Sequence, residues 1–302
     1  MPELPEVTVY VERLQALVRG QRLEAIRLAS PFVLRTVEPS RDAFAGRVLQ
    51  DVRRSGKRIV LCFEGDLFAL IHLMIAGRLR WKPKGAALHK RQGLAAFDFE
   101  GGTLVFTEAG SKRRAALHLV SGDGALADFE RGGIDVFECS PDDFAKALRR
   151  RNRTLKRALT DPEVVDGIGN AYSDEILHRA RLSPFKLTTS LSDDEAFRLH
   201  EAAAQVLAGF IEALRSEVGS GFPDKVTAFR ADMAVHGKYR EPCPVCGAPV
   251  QRIAYAENEA NYCPGCQMGG RVLADRALSR ILKDDWPKTL EELERVLPKR
   301  RS

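Results

Sequence analysis

The sequence Cys243-Pro244-Val245-Cys246 is followed, after sixteen intervening residues, by Cys263-Pro264-Gly265-Cys266. Two CxxC turns at this separation can bring four thiolates together in a tetrahedron, and a β-hairpin between the turns fits the spacing of a zinc ribbon. Because four protein ligands would close the coordination sphere, the predicted zinc is structural. Two disulfides are the alternative, but they require an oxidising compartment, for which the sequence gives no sign.

Two segments of different character precede the ribbon. An amphipathic helix is predicted from Val7 to Arg19, and short apolar runs separated by turns follow it, which is typical of a sandwich or barrel-like β domain. Beyond Ser140 the pattern is mostly helical, with a long helix after Ser192 whose buried stripe is expected to begin at Phe197. The predicted fold class is α+β. The predicted strands are Leu23–Leu28, Arg47–Arg53, Arg58–Phe63, Leu67–Leu73, Ala95–Phe99, Thr103–Thr107 and Ala116–Val120.

The sequence predicts four segments: a β domain over 1–132, a helical domain over 133–222, the ribbon over 223–270 and a helical extension over 271–302. In the extension, one helix is predicted from Leu273 to Leu282 and another after Thr289, with Glu292 as its capping partner. Because amphipathic helices generally need a core to cover them, packing of the extension is favoured over a role in binding.

The composition is that of a globular protein, with 302 residues of which 44% are apolar and 29% charged. No segment approaches the ~20 apolar residues of a membrane span, and the N-terminus lacks the layout of a secretory signal. A cytoplasmic monomer without membrane contact is expected, nucleoid-associated if the source is bacterial. The net charge of +6 includes clusters such as Lys112-Arg113-Arg114. Such clusters suit a polyanion, although scattered basic residues are more often a solvated face.

The first residues, Met1-Pro2-Glu3-Leu4-Pro5-Glu6, contain a candidate nucleophile. If Met1 is removed, the exposed amine of Pro2 is a secondary amine whose pKa lies well below that of a lysine side chain. Such an amine can attack an electrophilic carbon and form an iminium, while the carboxyl group of Glu3 moves protons. A rigid helix start, with Pro5 at the first helical position and Glu6 near the positive end of the dipole, explains the same residues without chemistry.

The turn Gly167-Ile168-Gly169-Asn170 leads into a predicted helix over residues 171–180. Backbone amides at such a helix start form a seat for a phosphate, to which Asn170 could add a side-chain donor and Lys156 a positive charge. Turns with two glycines are common and usually structural. Lys57 lies in a predicted hairpin, where an exposed lysine is the simplest explanation.

Taken in order, these features resemble the formamidopyrimidine-DNA glycosylase and endonuclease VIII family of DNA base-excision repair enzymes. The resemblance implies a β-sandwich with a long N-terminal helix, a helix–two-turn–helix domain and a zinc ribbon, with damaged double-stranded DNA between the lobes. It covers about residues 1–267 and rests on five motifs: Pro2-Glu3-Leu4-Pro5-Glu6-Val7, Ser55-Gly56-Lys57, His72-Leu73, Gly167-Ile168-Gly169-Asn170-Ala171-Tyr172, and the ribbon introduced by Gly237-Lys238 and Glu241-Pro242.

The resemblance implies roles for individual residues. Pro2 would be the nucleophile that attacks C1′ of a damaged nucleoside, Glu3 would assist proton transfer, and Lys57 would complete the catalytic set at the phosphate beside the lesion. One structural Zn²⁺ is the implied cofactor. Because the target atom is inaccessible in stacked duplex, the nucleotide must be flipped out and the gap filled. Residues expected to contact DNA or to lie beside the site are Glu6, His72, Met74, Ile75, Arg113, Arg114, Lys156, Asn170 and Lys238.

The chain departs from the family pattern at the residues that face the DNA. Where many relatives have a methionine wedge after His-Leu-Gly, Met74 is one position early and Ile75 occupies the matching place. In a strand such a shift reverses the face, so either residue could enter the duplex. The Arg-Phe pair that probes the opposite base is reduced to Arg113 or Arg114, without an aromatic, and Asn258 stands near the place of a ribbon arginine. The resemblance therefore implies neither the lesion, the opposite base nor the type of elimination.

Two rival functions remain open at this point. One is a family member that binds lesions or abasic sites without excising bases, which the altered gap-filling residues would permit. The other is a non-enzymatic zinc-ribbon protein that binds nucleic acid, for which the residues Pro2 and Glu3 would have no chemical purpose.

Overall fold

The computed structural model describes residues 1–110, 112–223, 227–228, 230–255, 258–273 and 287–296. The chain divides into two compact units, Met1–Gly132 with Ala208–Ala228 and Gly133–Leu207 with Phe229–Ser302. Among the described helices, none has the length and apolar character that a membrane span requires. The predicted α+β class, with a sandwich, a helical domain and a ribbon, is confirmed.

The first unit consists of one long helix and two antiparallel sheets. Helix α1 spans Leu4–Val18. The strands are β1 (Leu23–Leu28), β2 (Leu49–Ser55), β3 (Arg58–Phe63), β4 (Leu67–His72), β5 (Gly77–Lys82), β6 (Gly93–Phe99), β7 (Gly102–Glu108) and β8 (Ala116–Ser121). One sheet has the strand order β1-β6-β7-β5 and the other has the order β2-β3-β4-β8.

The two sheets and α1 enclose one apolar core. Alternate residues of β3, Ile59, Leu61 and Phe63, point into this core, as the two-residue period of a strand requires. Leu14 of α1 is fully buried in the same core. The other face of β3 belongs to a smaller apolar cluster, on which residues of helix α2 (Asp123–Ala127) pack.

Strand β5 was not predicted. Its charged residues Arg78, Arg80 and Lys82 alternate with Leu79 and Trp81, and only one face of the strand is buried. Such alternation is typical of a half-buried strand, but the three charged side chains make this segment much more polar than the buried strands. The missing strand pairs with β7 and completes the first sheet.

Residues Ala208–Ala228 belong to the first unit, although they follow residues Gly133–Leu207 of the second unit in the chain. Arg215 forms an ion pair with Glu12 of α1 at 2.6 Å, and the Arg13 side chain donates a hydrogen bond to the Gly221 carbonyl at 2.7 Å. The ring of Phe222 lies 5.7 Å from the ring of Tyr10. The segment thus covers one side of α1.

The second unit contains three short helices and the first part of a long one, followed by the ribbon. The helices are α3 (Pro141–Arg149), α4 (Leu155–Thr160), α5 (Asn170–Arg179) and α6 (Asp193–Val218), whose last residues belong to the first unit. A hairpin of β9 (Gln251–Tyr255) and β10 (Asn258–Tyr262) joins the two CxxC turns, and α7 (Pro264–Met268) follows.

Helix α6 begins where the sequence predicts, but its buried face is shifted. The Glu195 amide donates to the Ser192 hydroxyl at 3.2 Å, and the Ser192 amide donates to the Glu195 carboxylate at 3.0 Å, which is a capping box. The prediction that Phe197 begins the buried stripe is wrong, because this side chain is 55% exposed. Ala196 and Leu199 occupy the buried face instead.

The C-terminal extension is described in part. Helix α8 spans Leu290–Val296, and the predicted cap is confirmed: the Glu292 amide donates to the Thr289 hydroxyl at 3.2 Å. The helix predicted from Leu273 to Leu282 lies, after its first residue, outside the described residues.

Candidate active site and zinc centre

The first turn of α1 buries the residues of the N-terminal motif. Pro2 is buried, Glu3 is 2% exposed and Glu6 is fully buried. The helix begins after Glu3 because this residue is its N-cap and its amide donates a hydrogen bond to the Glu6 carboxylate at 2.8 Å. Leu4, and not Pro5, is the first helical residue. Both the capping arrangement and a buried pair of carboxyl groups beside the amino terminus are therefore present.

Charged groups surround the amino terminus. Burial lowers the pKa of the Met1 amine, the carboxylates of Glu3 and Glu6 oppose this shift, and the cations Arg78 and Lys57 add to it. An amine in such surroundings is in its free-base form more often than an exposed amine. The structure thus places Glu3, Glu6 and Lys57 around the amino terminus, together with Arg78, which the sequence did not single out.

Lys57 and His72 lie at the ends of neighbouring strands of one sheet. Lys57 belongs to the two-residue turn between β2 and β3, in which Gly56 has a positive φ of 61°. His72 ends β4 and pairs with Arg58 across the sheet. Burial, and after it the charges of Arg58 and Lys57, lower the pKa of His72 to about 4. The imidazole is therefore neutral at pH 7 and can hydrogen-bond without adding positive charge.

Residues 73–76 form a turn that connects β4 in one sheet with β5 in the other. Position 77 requires glycine, because a Cβ atom at Gly77 would lie 2.2 Å from the Leu73 carbonyl oxygen. Met74 has a left-handed φ of 52°, which is uncommon for a residue with a side chain, and is half-buried. Ile75 is 58% exposed. Because the segment is a turn, the alternation of faces in a strand does not decide between Met74 and Ile75.

The connection between β7 and β8 carries exposed cationic side chains at Arg113 and Arg114. Glu108, buried at the end of β7, fixes the backbone here. Its carboxylate accepts hydrogen bonds from the amides of Arg114 at 3.1 Å and Ala115 at 3.2 Å. The Arg113 guanidinium donates to the Arg91 carbonyl. Two cationic side chains thus extend from an anchored loop.

In the second unit, the start of α5 lies beside Lys156. Asn170 is the first residue of the helix and is half-buried. The Lys156 ammonium donates at 2.6 Å to the Asn170 carbonyl oxygen and at 2.6 Å to the Asp174 carboxylate. Lys156 is only 9% exposed. Its positive charge is therefore held next to the helix N-terminus within the protein.

Asp174 is the centre of a buried polar network that no sequence motif indicates. Besides the ammonium of Lys156, its carboxylate lies 2.8 Å from His236 Nδ1 and accepts a hydrogen bond from Asn261 Nδ2 at 3.3 Å. Asn261 belongs to β10, so one side chain of α5 contacts α4, the segment before the ribbon and the ribbon itself.

Glu175 holds the same segment through its backbone. Its carboxylate accepts hydrogen bonds of 2.8 to 2.9 Å from three consecutive amides, those of Ala234, Val235 and His236. Burial raises the pKa of Glu175, and these three amides oppose the shift because they stabilise the ionised form. The chain before the ribbon is thereby fixed to α5.

The four cysteines of the two CxxC turns converge, and none of them forms a disulfide. The Sγ atoms of Cys243 and Cys266 are 3.9 Å apart, and those of Cys246 and Cys263 are 3.3 Å apart. A Cβ atom at Gly265 would lie 3.0 Å from Cys246 Sγ, so glycine leaves room for this sulfur. Four thiolates at such separations are the donor set of a structural zinc site, and the residues fit this ion.

Two further residues lie beside the ribbon. His178, in the last turn of α5, has its Nε2 atom 3.2 Å from Cys243 Sγ. Lys238, just before the first CxxC turn, forms an ion pair with Glu241 at 3.3 Å. The sequence predicted a role for Lys238 and did not single out His178.

Several polar residues of these sites were missed, because no local pattern in the sequence marks them. The structure buries eight of the ten residues of α5, whereas a surface helix exposes one face. Polar side chains in such a helix need internal partners, but the sequence does not show that the helix is enclosed. The partners of Arg78 and Glu108 lie in turns and loops, which leave no periodic pattern. The missed residues are Arg78, Glu108, Asp174, Glu175, His178 and His236.

Comparison with known proteins relates all three parts of the chain to one family. The formamidopyrimidine-DNA glycosylase N-terminal domain matches residues 1–114, the H2TH domain of the same enzyme matches 136–220, and the zinc finger found in FPG and IleRS matches 240–267. The chain belongs to the formamidopyrimidine-DNA glycosylase family. Membership supports a base-excision-repair DNA glycosylase that binds DNA and holds one structural zinc.

Relatives match the chain over different lengths. The formamidopyrimidine-DNA glycosylase of Thermus thermophilus is 35% identical over 286 residues, which cover 89% of this chain and 100% of the relative. An uncharacterized formamidopyrimidine-DNA glycosylase-like protein of Mycobacterium tuberculosis is 44% identical over 151 residues, which cover 50% of this chain and 94% of the relative.

Solved structures of the family share the fold. The Lactococcus lactis enzyme in complex with DNA that contains an abasic site has a TM-score of 0.79 and 26% identity, over 88% of this chain and 99% of that chain. MutM in complex with DNA that contains carbocyclic 8-oxo-G has a TM-score of 0.79 and 26% identity, over 88% of this chain and 100% of that chain.

Proposed function

We propose that this family member is a bifunctional DNA glycosylase and AP lyase, which removes a damaged base and then cleaves the strand at the abasic site. The observation that carries the proposal is the burial of Pro2 beside Glu3 and Glu6, with Lys57 and Arg78 close to the amino terminus. A helix start needs a cap, but it does not need its own amino terminus desolvated among four charged groups.

The nucleophile in this proposal is the amine of Pro2 in the chain that lacks Met1. While Met1 is attached, the Pro2 nitrogen belongs to a tertiary amide and cannot attack carbon. The free secondary amine forms a bond to C1′ as the bond from C1′ to the base breaks, and the base leaves with a proton. The nitrogen then loses its proton and the sugar ring opens at O4′, which gains a proton, so that an iminium links Pro2 to the sugar.

Glu3 is the proton carrier of this scheme. Its carboxyl group adjoins Pro2 in the chain and is buried, so a proton that it gives or takes does not need to pass through bulk water. The same group can remove the C2′ proton in the elimination that expels the 3′ phosphate. Glu6, which accepts a hydrogen bond from the Glu3 amide, positions this turn.

The DNA contacts of the first unit are proposed for four residues. Lys57, in the turn before β3, and the neutral ring of His72, at the end of the neighbouring strand β4, suit the phosphate beside the lesion. Arg113 and Arg114 extend from the loop that Glu108 holds, and they suit the base opposite the lesion. Guanidinium groups can satisfy several acceptors at once, which a base edge offers.

The second unit contributes the start of α5 and the ribbon. Asn170 and the amides of the first turn of α5 form the proposed phosphate seat. Lys156 contributes charge to this seat through its contact with the Asn170 carbonyl oxygen, and Lys238 is proposed as a further phosphate contact. A phosphate contact of this kind adds affinity that decreases with salt and does not depend on sequence.

Ile75 is the residue that we propose fills the gap left by the flipped nucleotide. Its apolar side chain is exposed on the turn between the two sheets, whereas the neighbouring Met74 is half-buried. An apolar side chain inserted into the stack replaces part of the contact that the flipped base gives up.

Borohydride trapping on duplex DNA with an abasic site tests the proposal. Borohydride reduces an iminium to a stable amine, so the processed chain should yield a covalent complex, with the adduct located on Pro2 by peptide mass spectrometry. A chain that carries an uncleaved extension before Pro2 should give no complex, and Pro2→Gly should lose at least about tenfold in trapping rate.

Pro5→Ala is the matched control, because it replaces a proline of the same helical turn and leaves the terminal amine intact. This variant should trap as the wild type does. Trapping that persists in the extended chain would show that another amine is the nucleophile.

A panel of duplexes with different damaged bases, with released bases identified by mass spectrometry, measures the glycosylase step separately. Base release with trapping supports the bifunctional enzyme. Tight binding of abasic DNA with neither release nor trapping would establish the alternative, a family member that binds lesions without excising them.

A further inference from the structure

His178 reaches the zinc ribbon from a helix that contains none of the four cysteines. Its side chain is buried, with 6% of the residue exposed, and its Nε2 atom is 3.2 Å from Cys243 Sγ. The ligand atoms of His178, Cys243, Cys263 and Cys266 all lie within 4.8 Å of one another. Cys246 Sγ lies outside this group but only 3.3 Å from Cys263 Sγ, so it is a fifth candidate for a site that takes four ligands.

Cys246 is better suited than His178 to be the fourth zinc ligand. Its sulfur sits against Gly265, where a Cβ atom would approach it to 3.0 Å, so the turn around Gly265 is shaped to admit that sulfur. Cys246 also belongs to a CxxC turn that mirrors the second one. With four cysteines in the coordination sphere, His178 is left outside it but within hydrogen-bond distance of Cys243.

The hydrogen bonds that the other sulfurs accept indicate a role for His178 other than that of a zinc ligand. The Cys266 amide donates to Cys263 Sγ at 3.4 Å, and the Ala248 amide donates to Cys246 Sγ. Four thiolates and one Zn²⁺ carry a net charge of −2, which such donors offset inside a protein. At Cys243 Sγ the structure places the imidazole of His178, whose Nε2 atom is a donor in one of the two neutral tautomers.

We propose that His178 is a positioning residue of the zinc centre, whose Nε2–H donates a hydrogen bond to the Cys243 thiolate. The bond keeps zinc in the ribbon and ties the ribbon to the end of α5. A second contact supports the tie, because Gln267 of α7 donates to the Leu182 carbonyl, just beyond α5, at 2.8 Å. The helix that starts at the proposed phosphate seat is therefore fixed at its other end by the metal centre.

Zinc release to a chromogenic chelator, measured on the full chain, tests this role without any DNA. Loss of an outer hydrogen bond to a metal ligand costs about 10- to 100-fold in metal affinity, so His178→Ala should release zinc at least about tenfold faster. His178→Gln, whose amide can still donate, should release it at a rate near that of the wild type. His200→Ala, at a half-buried histidine of the same unit that contacts Val136 and Phe144, should leave the rate unchanged.

Absorption of the cobalt-substituted protein separates a donor from a ligand. The wild type and His178→Ala should give the same spectrum of four-sulfur coordination. A three-sulfur, one-nitrogen spectrum that changes in His178→Ala would overturn the proposal and make His178 a ligand. Release rates that are equal in the wild type and His178→Ala would overturn it as well. Far-UV circular dichroism of each variant with zinc bound confirms that the comparison is made between folded proteins.

Discussion

At the scale of single residues, His72 shows how burial and neighbouring charge act on one side chain. Its pKa is about 4, against an ordinary value of 6.5, because burial and the nearby cations Arg58 and Lys57 all disfavour the imidazolium. In the unfolded chain His72 takes up a proton as the pH falls below about 6.5, but in the folded chain it does so only near pH 4. Acidification therefore favours unfolding over this interval.

The free energy of unfolding should consequently fall by about 2–3 kcal/mol between pH 7 and pH 4 through His72 alone. In His72→Gln this part of the pH dependence should vanish. Urea unfolding at several pH values, followed by circular dichroism, measures the difference between the two proteins. His89→Gln, at an exposed histidine, should keep the pH dependence of the wild type. If the free energy of unfolding of His72→Gln depended on pH as that of the wild type does, His72 would not be the source of this pH dependence.

Ile75 and Met74 make a second test at this scale, since the sequence left both as gap-filling residues. If exposed Ile75 enters the duplex, Ile75→Ala should slow base excision from paired DNA by about tenfold and leave trapping on abasic DNA nearly intact, because an abasic nucleotide costs less to extrude. Met74→Ala should have a smaller effect on excision. Single-turnover rates on both substrates measure these effects. If Met74→Ala lost more of the excision rate than Ile75→Ala, Met74 would be the gap-filling residue.

At the scale of elements, α5 buries charged side chains together with apolar ones. Asp174 is fully enclosed and faces Lys156, so Asp174→Asn leaves a buried ammonium without its counter-charge. Such a change typically costs about 3 kcal/mol or more in stability. Asp193→Asn removes the same charge from a pair with Arg149 on the surface and should cost less than about 1 kcal/mol. Urea unfolding of the two variants checks the contrast, and equal losses would show that the buried network is dispensable.

The sequence predicted those elements whose pattern is local. β1 and β3 have the predicted bounds, and the caps at Ser192 and Thr289 are as expected, because periodicity and capping depend on residues a few positions apart. β5 was missed because its alternating charged side chains face solvent only through its pairing with β7. No local pattern in the sequence shows this pairing. The alternation of a strand was applied to Met74 and Ile75, although the predicted strand ends at Leu73, because nothing local indicates that the chain turns there and changes sheets.

The residues of the candidate site likewise comprise some that short motifs indicate and others that only the fold brings together. Pro2, Glu3 and the cysteines could be found because their chemistry lies in short motifs. The partners of Asp174 are 18, 62 and 87 residues away along the chain, at Lys156, His236 and Asn261, and no local pattern links them. Burial inside a network also changes what a residue does: Lys156, expected as a phosphate contact, has its ammonium bound to Asp174 and to the chain itself.

At the scale of the whole molecule, loss of zinc should affect the folding of the second unit and leave the first unit folded. Zinc binding and folding of a ribbon are coupled, so chelation or Cys243→Ser should expose the ribbon to proteases and weaken DNA binding. The core of the first unit contains no residue of the ribbon and should stay resistant. Limited proteolysis with mass spectrometry locates the cleavage sites. Cys139→Ser, outside the cysteine cluster, is the control, and unchanged folding and affinity in verified zinc-free protein would refute the expectation.

The return of Ala208–Ala228 to the first unit bears on the order in which the protein can fold as it is synthesised. The strands of that unit are complete once residue 132 has left the ribosome, but the segment that covers α1 follows 96 residues later, at 228 − 132. At about 5–20 residues per second, the delay is about 5–20 s. During this time one side of α1 lacks its native cover, and the nascent chain presents it to solvent or to a chaperone.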